Sequence, residues 1–164
     1  MNEPKPKGKK PKPWEGKHYL YYEAILQLRD VREEQVDYAI AAIQKEGVPI
    51  AKSVPHDNGL DLYLADARFG KIIGKRLQDR YGGIYHVTAK LFSARDGRNI
   101  YRLAILFRGV FFQKGETVHY KGLPHIVKVL GERVILQNTK TGKKIQFKCN
   151  PKDLELIKPV QKEE

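Results

Sequence analysis

Hydrophobic period changes abruptly within residues 60–81. Leu60, Leu62 and Leu64 alternate with Asp61 and Tyr63, as in a half-buried strand; Phe69, Ile72, Ile73, Leu77 and Tyr81 then recur at helical spacing. Asp66 stands where a helix cap belongs, and Gly82-Gly83 ends the pattern. The same two periods organise the rest of the first 110 residues. Residues 18–29 alternate, with Leu20, Tyr22, Ala24, Leu26 and Leu28 on one face and Tyr19, Tyr21, Glu23, Gln27 and Arg29 on the other. Asp30 is positioned to cap a helix over about 31–46, with Glu33 as its capping-box partner and Val36, Ala39, Ile40 and Ile43 as the buried stripe. Gly47-Val48-Pro49 stops that helix. A hairpin of strands at about 49–54 and 60–64 follows, turning at His56–Gly59. Long strands at 84–94 and 99–108 are joined around Asp96-Gly97 by a loop expected to exceed two residues.

The resulting order, β-α-β-β-α-β-β, predicts an α+β domain over 18–110: a ferredoxin-like split βαβ plan with one extra strand, both helices lying on one face of an antiparallel sheet. If Tyr85, Val87, Ala89 and Leu91 face the helices with Tyr101, Leu103, Ile105 and Phe107, the other face displays His86, Thr88, Lys90, Phe92, Arg102 and Arg108 beside Tyr19, Tyr21, Arg29 and Tyr63. Helical periodicity disappears after residue 110. Short strands at about 116–120, 124–130, 133–138, 143–149 and 154–157, punctuated by Gly115, Gly122, Gly131 and Gly142, predict a small five-stranded β-barrel over 111–160. Residues 1–17, rich in Lys-Pro repeats, read as a flexible, polyproline-like arm with Trp14 as its one large apolar group.

Charge changes the picture. The 164 residues carry a formal net charge of +12, which draws a protein to polyanions. The excess of bases over acids is four in residues 1–18, three in 19–111 and five in 112–164, so the ends are cationic and the middle is basic only on particular faces. Cationic candidates for phosphate contacts are Lys5, Lys7, Lys9, Lys10 and Lys12 in the arm, Arg68, Lys71, Lys75 and Arg76 on the second helix, Arg102 and Arg108 on the last long strand, and Lys140, Lys143 and Lys144 at a polar hairpin tip. Tyr19, Tyr21, Tyr63 and Phe92 are candidates for stacking on bases. Against these stand simpler readings: the basic helix face as a solvated outer surface, and the aromatic sheet face as a surface covered by the following module.

Other chemistry finds little support. No apolar run approaches the ~20 residues of a membrane span, and the Lys/Pro-rich N-terminus lacks a secretory core, so the protein is expected in the cytoplasm. The single Cys149 excludes a disulfide framework and reads as a small buried thiol near the end of the fold. The five histidines are scattered without ligand spacing, Gly70–Lys75 lacks the phosphate-loop pattern, and no acid/base pair advertises catalysis. No cofactor, metal or enzymatic activity is expected.

Three segments in order, YYEAILQLRD at 21–30, LDLYLADARFGKIIGKRLQDRYGG at 60–83 and SARDGRNIYRLAILFRG at 93–109, resemble the archaeal branch of the Nmd-three family of large ribosomal subunit adaptors. KGETVHYKG at 114–122 is similar to the start of the small barrel that follows in that family. The resemblance implies an α+β domain like a ribosomal protein, barrel modules like translation factor five-A, and a place on the intersubunit side of the large subunit. Family members begin with a cysteine-rich zinc module and carry two barrels; with only a Lys/Pro arm before the tyrosine strand and one barrel after it, this chain reads as a shortened form or a fragment. The expected function is non-enzymatic binding of ribosomal RNA and large-subunit proteins in subunit biogenesis or quality control, by a protein that is a monomer when free. The alternatives are a permanent ribosomal protein of the large subunit and an RNA-processing enzyme on a ferredoxin-like scaffold.

Overall fold

The computed structural model of the chain describes residues 10–160. Its elements run β1 (Ala24–Arg29), α1 (Glu33–Glu46), β2 (Ile50–His56), β3 (Gly59–Leu64), α2 (Ala67–Tyr81), β4 (Ile84–Arg95), β5 (Arg98–Arg108), β6 (Thr117–Tyr120), β7 (Leu123–Leu130), β8 (Arg133–Asn138), β9 (Lys144–Lys148), α3 (Pro151–Leu154) and β10 (Ile157–Pro159). The architecture is α+β, with two five-stranded sheets ordered β2-β3-β1-β5-β4 and β10-β6-β7-β8-β9.

In the first sheet β3 lies between β1 and β2 and is antiparallel to both, as a split βαβ unit requires. The expected all-antiparallel sheet is not what forms. The β4–β5 hairpin folds back so that β5 enters beside β1 and runs parallel to it, leaving β4 at the edge. The more apolar strand takes the inner place: Ile105 and Phe107 of β5 are fully buried, whereas Tyr85 and Val87 of β4 are only partly so, and the turn holds β4 alongside. Arg95 pairs with Arg98, so Asp96-Gly97 is a two-residue loop, shorter than expected, with φ of 49° and 73°. Two successive positive φ values match the twist of a tight hairpin, and a tight hairpin keeps β5 adjacent to β4.

Residues 18–23 are not strand, which corrects the alternation expected there; β1 begins at Ala24. Asp30 does not cap α1. It takes a positive φ of 51°, its carboxylate accepts hydrogen bonds from Asn58 and Arg108, and Arg32 becomes the N-cap residue. The reciprocal side chain is Gln35 rather than Glu33: its Oε1 accepts the Arg32 backbone N–H at 3.0 Å. The α2 cap is as expected, with the Phe69 N–H donating to Asp66 Oδ1 at 3.1 Å.

Ala24, Leu26, Leu28, Leu62, Leu64, Ile105 and Phe107 from the sheet meet Ala39 and Ile43 of α1 and Phe69, Ile73 and Leu77 of α2 in one core, against which Trp14 also packs. Ile72 falls outside this stripe and is exposed. Gly70 and Gly74 bring α2 onto the sheet: a Cβ at Gly74 would lie 2.7 Å from the Tyr85 ring and 2.9 Å from Ile105. Tyr85, Val87 and Leu103 pack on the core, whereas Leu91 and Tyr101 are exposed. The hairpin outruns β1, whose pairing with β5 starts at Leu103, so its outer half has no helix to cover it.

The second core gathers Phe112, Val118, Val127, Val134, Leu136 and Ile157, with Ile145, Phe147, Cys149 and Leu154 packed against it. A closed barrel is not found: among the described residues no pairing joins β9 to β10, and the one-turn α3, capped by Asn150, intervenes between them. The two sheets meet at the end of α2. There Gly82 sits against Leu130, with no room for a Cβ, and Gly131 sits against the Asp79 carbonyl.

Candidate nucleic-acid interface

Both long helices lie on one face of the first sheet, because the buried stripes of α1 and α2 share a core with Leu26, Leu62 and Ile105. Side chains that alternate with those residues point to the other face, where Lys52, Tyr63, Ile25, Gln27, Lys90 and Arg102 stand. An aromatic row crosses it. Tyr22 meets Tyr63 edge-on at 4.9 Å between centroids and Phe92 edge-on at 6.1 Å. Cations lie over the rings: Lys52 Nζ is 4.3 Å from the Tyr63 centroid, and the Arg102 guanidinium is 4.4 Å from Phe92, 5.4 Å from Tyr21 and 5.7 Å from Tyr22. Contacts of this kind contribute ~0.5–1 kcal/mol each when exposed and more when dry.

Tyr21 is set back beside this row, donating its hydroxyl to Glu23 Oε2 at 2.9 Å. Burial first, then that hydrogen bond and the Glu23 charge, push the phenol up to about 12 despite the opposing pull of Arg102, so it remains neutral. Tyr19 does not join the row; it is 78% exposed and leans on His18 at 4.4 Å. Tyr22 takes its place. Alternation along the sequence puts Tyr22 on the core face, and only the loss of strand structure before Ala24 turns it outward. Arg29, also expected on this face, is closed into a nearly buried ion pair with Asp61 at 2.7 Å, and Asp61 lies 2.9 Å from His56.

The cationic candidates divide into separate surfaces. Arg68, Lys71 and Arg76 are exposed on α2, on the side of the sheet opposite the aromatic row. Lys75 is committed to ion pairs with Asp79 at 3.2 Å and Glu132 at 3.3 Å, and so bridges the two sheets instead of joining the outer face. Partial burial pulls its pKa down, but hydrogen bonds and charge from those two carboxylates outweigh it and hold the ammonium above its ordinary value. Arg108 pairs with Asp30 at 2.8 Å. Lys140, Lys143 and Lys144 are exposed at the β8–β9 tip, where the Asn138 side chain accepts the Lys140 and Thr141 backbone N–H groups. Lys10 and Lys12 are exposed, Lys12 lying 5.7 Å from the Trp14 ring; Lys5, Lys7 and Lys9 lie outside the described residues.

The far end of the open face is partly roofed. A cleft of about 690 Å³ runs between Ile84, Leu106 and Arg108 on the sheet and Phe111, Pro151 and Leu154 of the second half. The aromatic end stays open, with Phe92 54% exposed. Cys149 is half-buried just beyond β9; its thiol donates to the Gly131 carbonyl, and burial raises its pKa, which disfavours the thiolate. Among the described residues no group of three or more His, Cys, Asp or Glu could hold a metal ion, and no helix is long and apolar enough to cross a membrane.

The fold and this surface define an α+β protein that presents aromatic rings and cations on an open sheet face. Residues 21–108, more than half of the chain, match the family described as NMD3, second domain, and the chain belongs to the NMD3 family. The match runs from Tyr21 to Arg108 and so includes the whole aromatic row and all of α2. No individually curated protein matches the chain. The family is one of ribosome-associated adaptors, which gives the chain a ribosome-related function.

Proposed function

We propose that this protein binds the large ribosomal subunit through ribosomal RNA, without catalysing a reaction, during subunit biogenesis or quality control in the cytoplasm. The observation that carries the reading is the open sheet face: rings from Tyr22, Tyr63 and Phe92 with Lys52 and Arg102 over them, in a chain of net charge +12. Bases stack on such rings and phosphates pair with such cations. The exposed cations of α2 and of the β8–β9 tip give second and third phosphate contacts on elements of different sheets, which fits a large, folded RNA with protein partners around it. Residues 18–110 act as one unit, a ferredoxin-like domain with a hairpin in place of its last strand, and 111–160 as another.

Cosedimentation with purified large subunits tests the reading, followed by cryo-EM of the complex. Density for the sheet face against ribosomal RNA is the expected result. Binding only to ribosomal proteins, or equal occupancy on all translating ribosomes, would replace it with a protein-docking role or a permanent ribosomal component. RNA cleavage by the purified protein would replace it with an enzyme.

A further inference from the structure

Phe92 and Arg102 form a wall shared by two clefts. On one side is a cleft of about 200 Å³ on the open sheet face; on the other is a cleft of about 470 Å³ lined by Lys17, His18, Tyr21, Phe92, Ser93, Ile100 and Arg102. The larger one lies at the root of the projecting part of the β4–β5 hairpin, where residues 17–21 pass beside it. Its volume falls within the ~300–1,000 Å³ typical of small-ligand sites.

Its chemistry is one-sided. No carboxylate lines it, while Lys17 and Arg102 place two cations on the Tyr21 ring, at 5.6 and 5.4 Å. The one acid nearby, Glu23, is already engaged, accepting the Tyr21 hydroxyl and the Ala67 backbone N–H. Arg102 is short of acceptors: its Nε is buried with no hydrogen-bond partner, and its Nη1 has only a long contact of 3.5 Å to the Tyr101 carbonyl. A guanidinium does not deprotonate in a protein, so this charge is held by ring faces and is not neutralised by any ion pair among the described residues. The ligand that completes the site is flat, acceptor-rich and anionic.

We infer that this cleft takes one unpaired nucleotide of an RNA, its base against Phe92 and its phosphate between Arg102 and Lys17. The inference rests on the RNA-binding reading above and adds a site to it. Single-strandedness follows from the geometry. Phe92 can stack only on a base whose face is free, and a base inside a duplex has both faces covered by its neighbours. Ser93 and His18 at the rim supply hydrogen-bonding groups for a base edge.

The test uses the full chain, a fluorescent single-stranded RNA oligonucleotide and a duplex of the same length, followed by anisotropy. Phe92→Ala and Arg102→Lys are expected to weaken single-strand binding by about five- to a hundredfold and to leave duplex binding nearly unchanged, because the planar contacts to the nucleotide are lost while net charge is kept. Phe92→Trp should restore affinity. Since Phe92 is largely exposed, the Phe92 variants are expected to keep the parent thermal unfolding midpoint. A 4-thiouridine crosslink should map to residues 17–21 or 92–102. Tight single-strand binding that survives both substitutions, with crosslinks on α2 or the β8–β9 tip, would overturn the cleft and leave the RNA reading standing. No binding to either RNA, nor to the subunit, would overturn both.

Discussion

Lys75 on α2 places its ammonium 3.3 Å from Glu132 in the turn between β7 and β8, and the helix expected to face RNA thereby ties the first sheet to the second. Around this ion pair the backbones are also close, with Gly82 against Leu130 and Gly131 against the Asp79 carbonyl. Affinity and architecture are therefore separable on one helix. Lys75→Ala should lower stability by less than ~1 kcal/mol, since both partners are more than a third exposed and screened by solvent. It should weaken subunit binding far less than Arg68→Ala combined with Arg76→Ala. Denaturation and cosedimentation of the three proteins check both halves; an equal loss of binding in the two variants would return Lys75 to the RNA-facing set.

The small residues of α2 give a second expectation. Alanine is favoured over glycine inside a helix by ~1 kcal/mol, so an exposed replacement would stabilise. Gly74→Ala is expected to destabilise by ~1–3 kcal/mol instead, because its new methyl meets both the Tyr85 ring and Ile105. Gly70→Ala should be close to neutral, since only the flexible end of Ile105 need move, from 2.8 Å. Urea unfolding distinguishes the two.

Asp30 supplies a pH dependence. The hydrogen bond from Arg108 lowers its pKa below the ordinary value of 3.8, against the opposing effect of partial burial. A depressed carboxylate contributes stability that is present above the unfolded pKa and is lost as pH falls through the folded one. Asp30→Asn should thus be less stable than the parent at neutral pH, and the two should converge as pH falls below the ordinary value of 3.8 and through the lowered folded one. Asparagine is the informative substitution because it tolerates the positive φ at this position. A stability gap that persists unchanged into acid would show that the charge is not the cause.

Salt dependence reports how many phosphates are engaged. If the α2 cations, the β8–β9 tip and the open face together contact about six, the logarithm of the subunit association constant should fall with the logarithm of salt at a slope of about −4 to −5. Removing Arg68 and Arg76 should reduce that slope by about 1–2 while leaving the fold intact. A flat dependence would mean that the net charge of +12 is not used in binding.

Local pattern along the chain is enough for the elements: helices at about 31–46 and 67–81, the β2–β3 hairpin, the long β4 and β5, and four of the five later strands nearly to the residue. These depend on period, caps and turn residues within a few positions, and Asp66 before Phe69 needs no distant partner. Tertiary structure decided what distance along the chain hides. The parallel insertion of β5 beside β1, the outward turn of Tyr22, the transfer of Asp30 from a helix cap to Arg108, and the commitment of Lys75 to Glu132 each depend on a partner fifty or more residues away, or on where a sheet runs out of neighbours. A lysine on a polar helix face reads the same whether solvent, phosphate or a carboxylate from another sheet stands opposite. Local pattern fixes which residues can face outward; only the packed chain settles what they face, because that is set by long-range contacts with no period in the sequence.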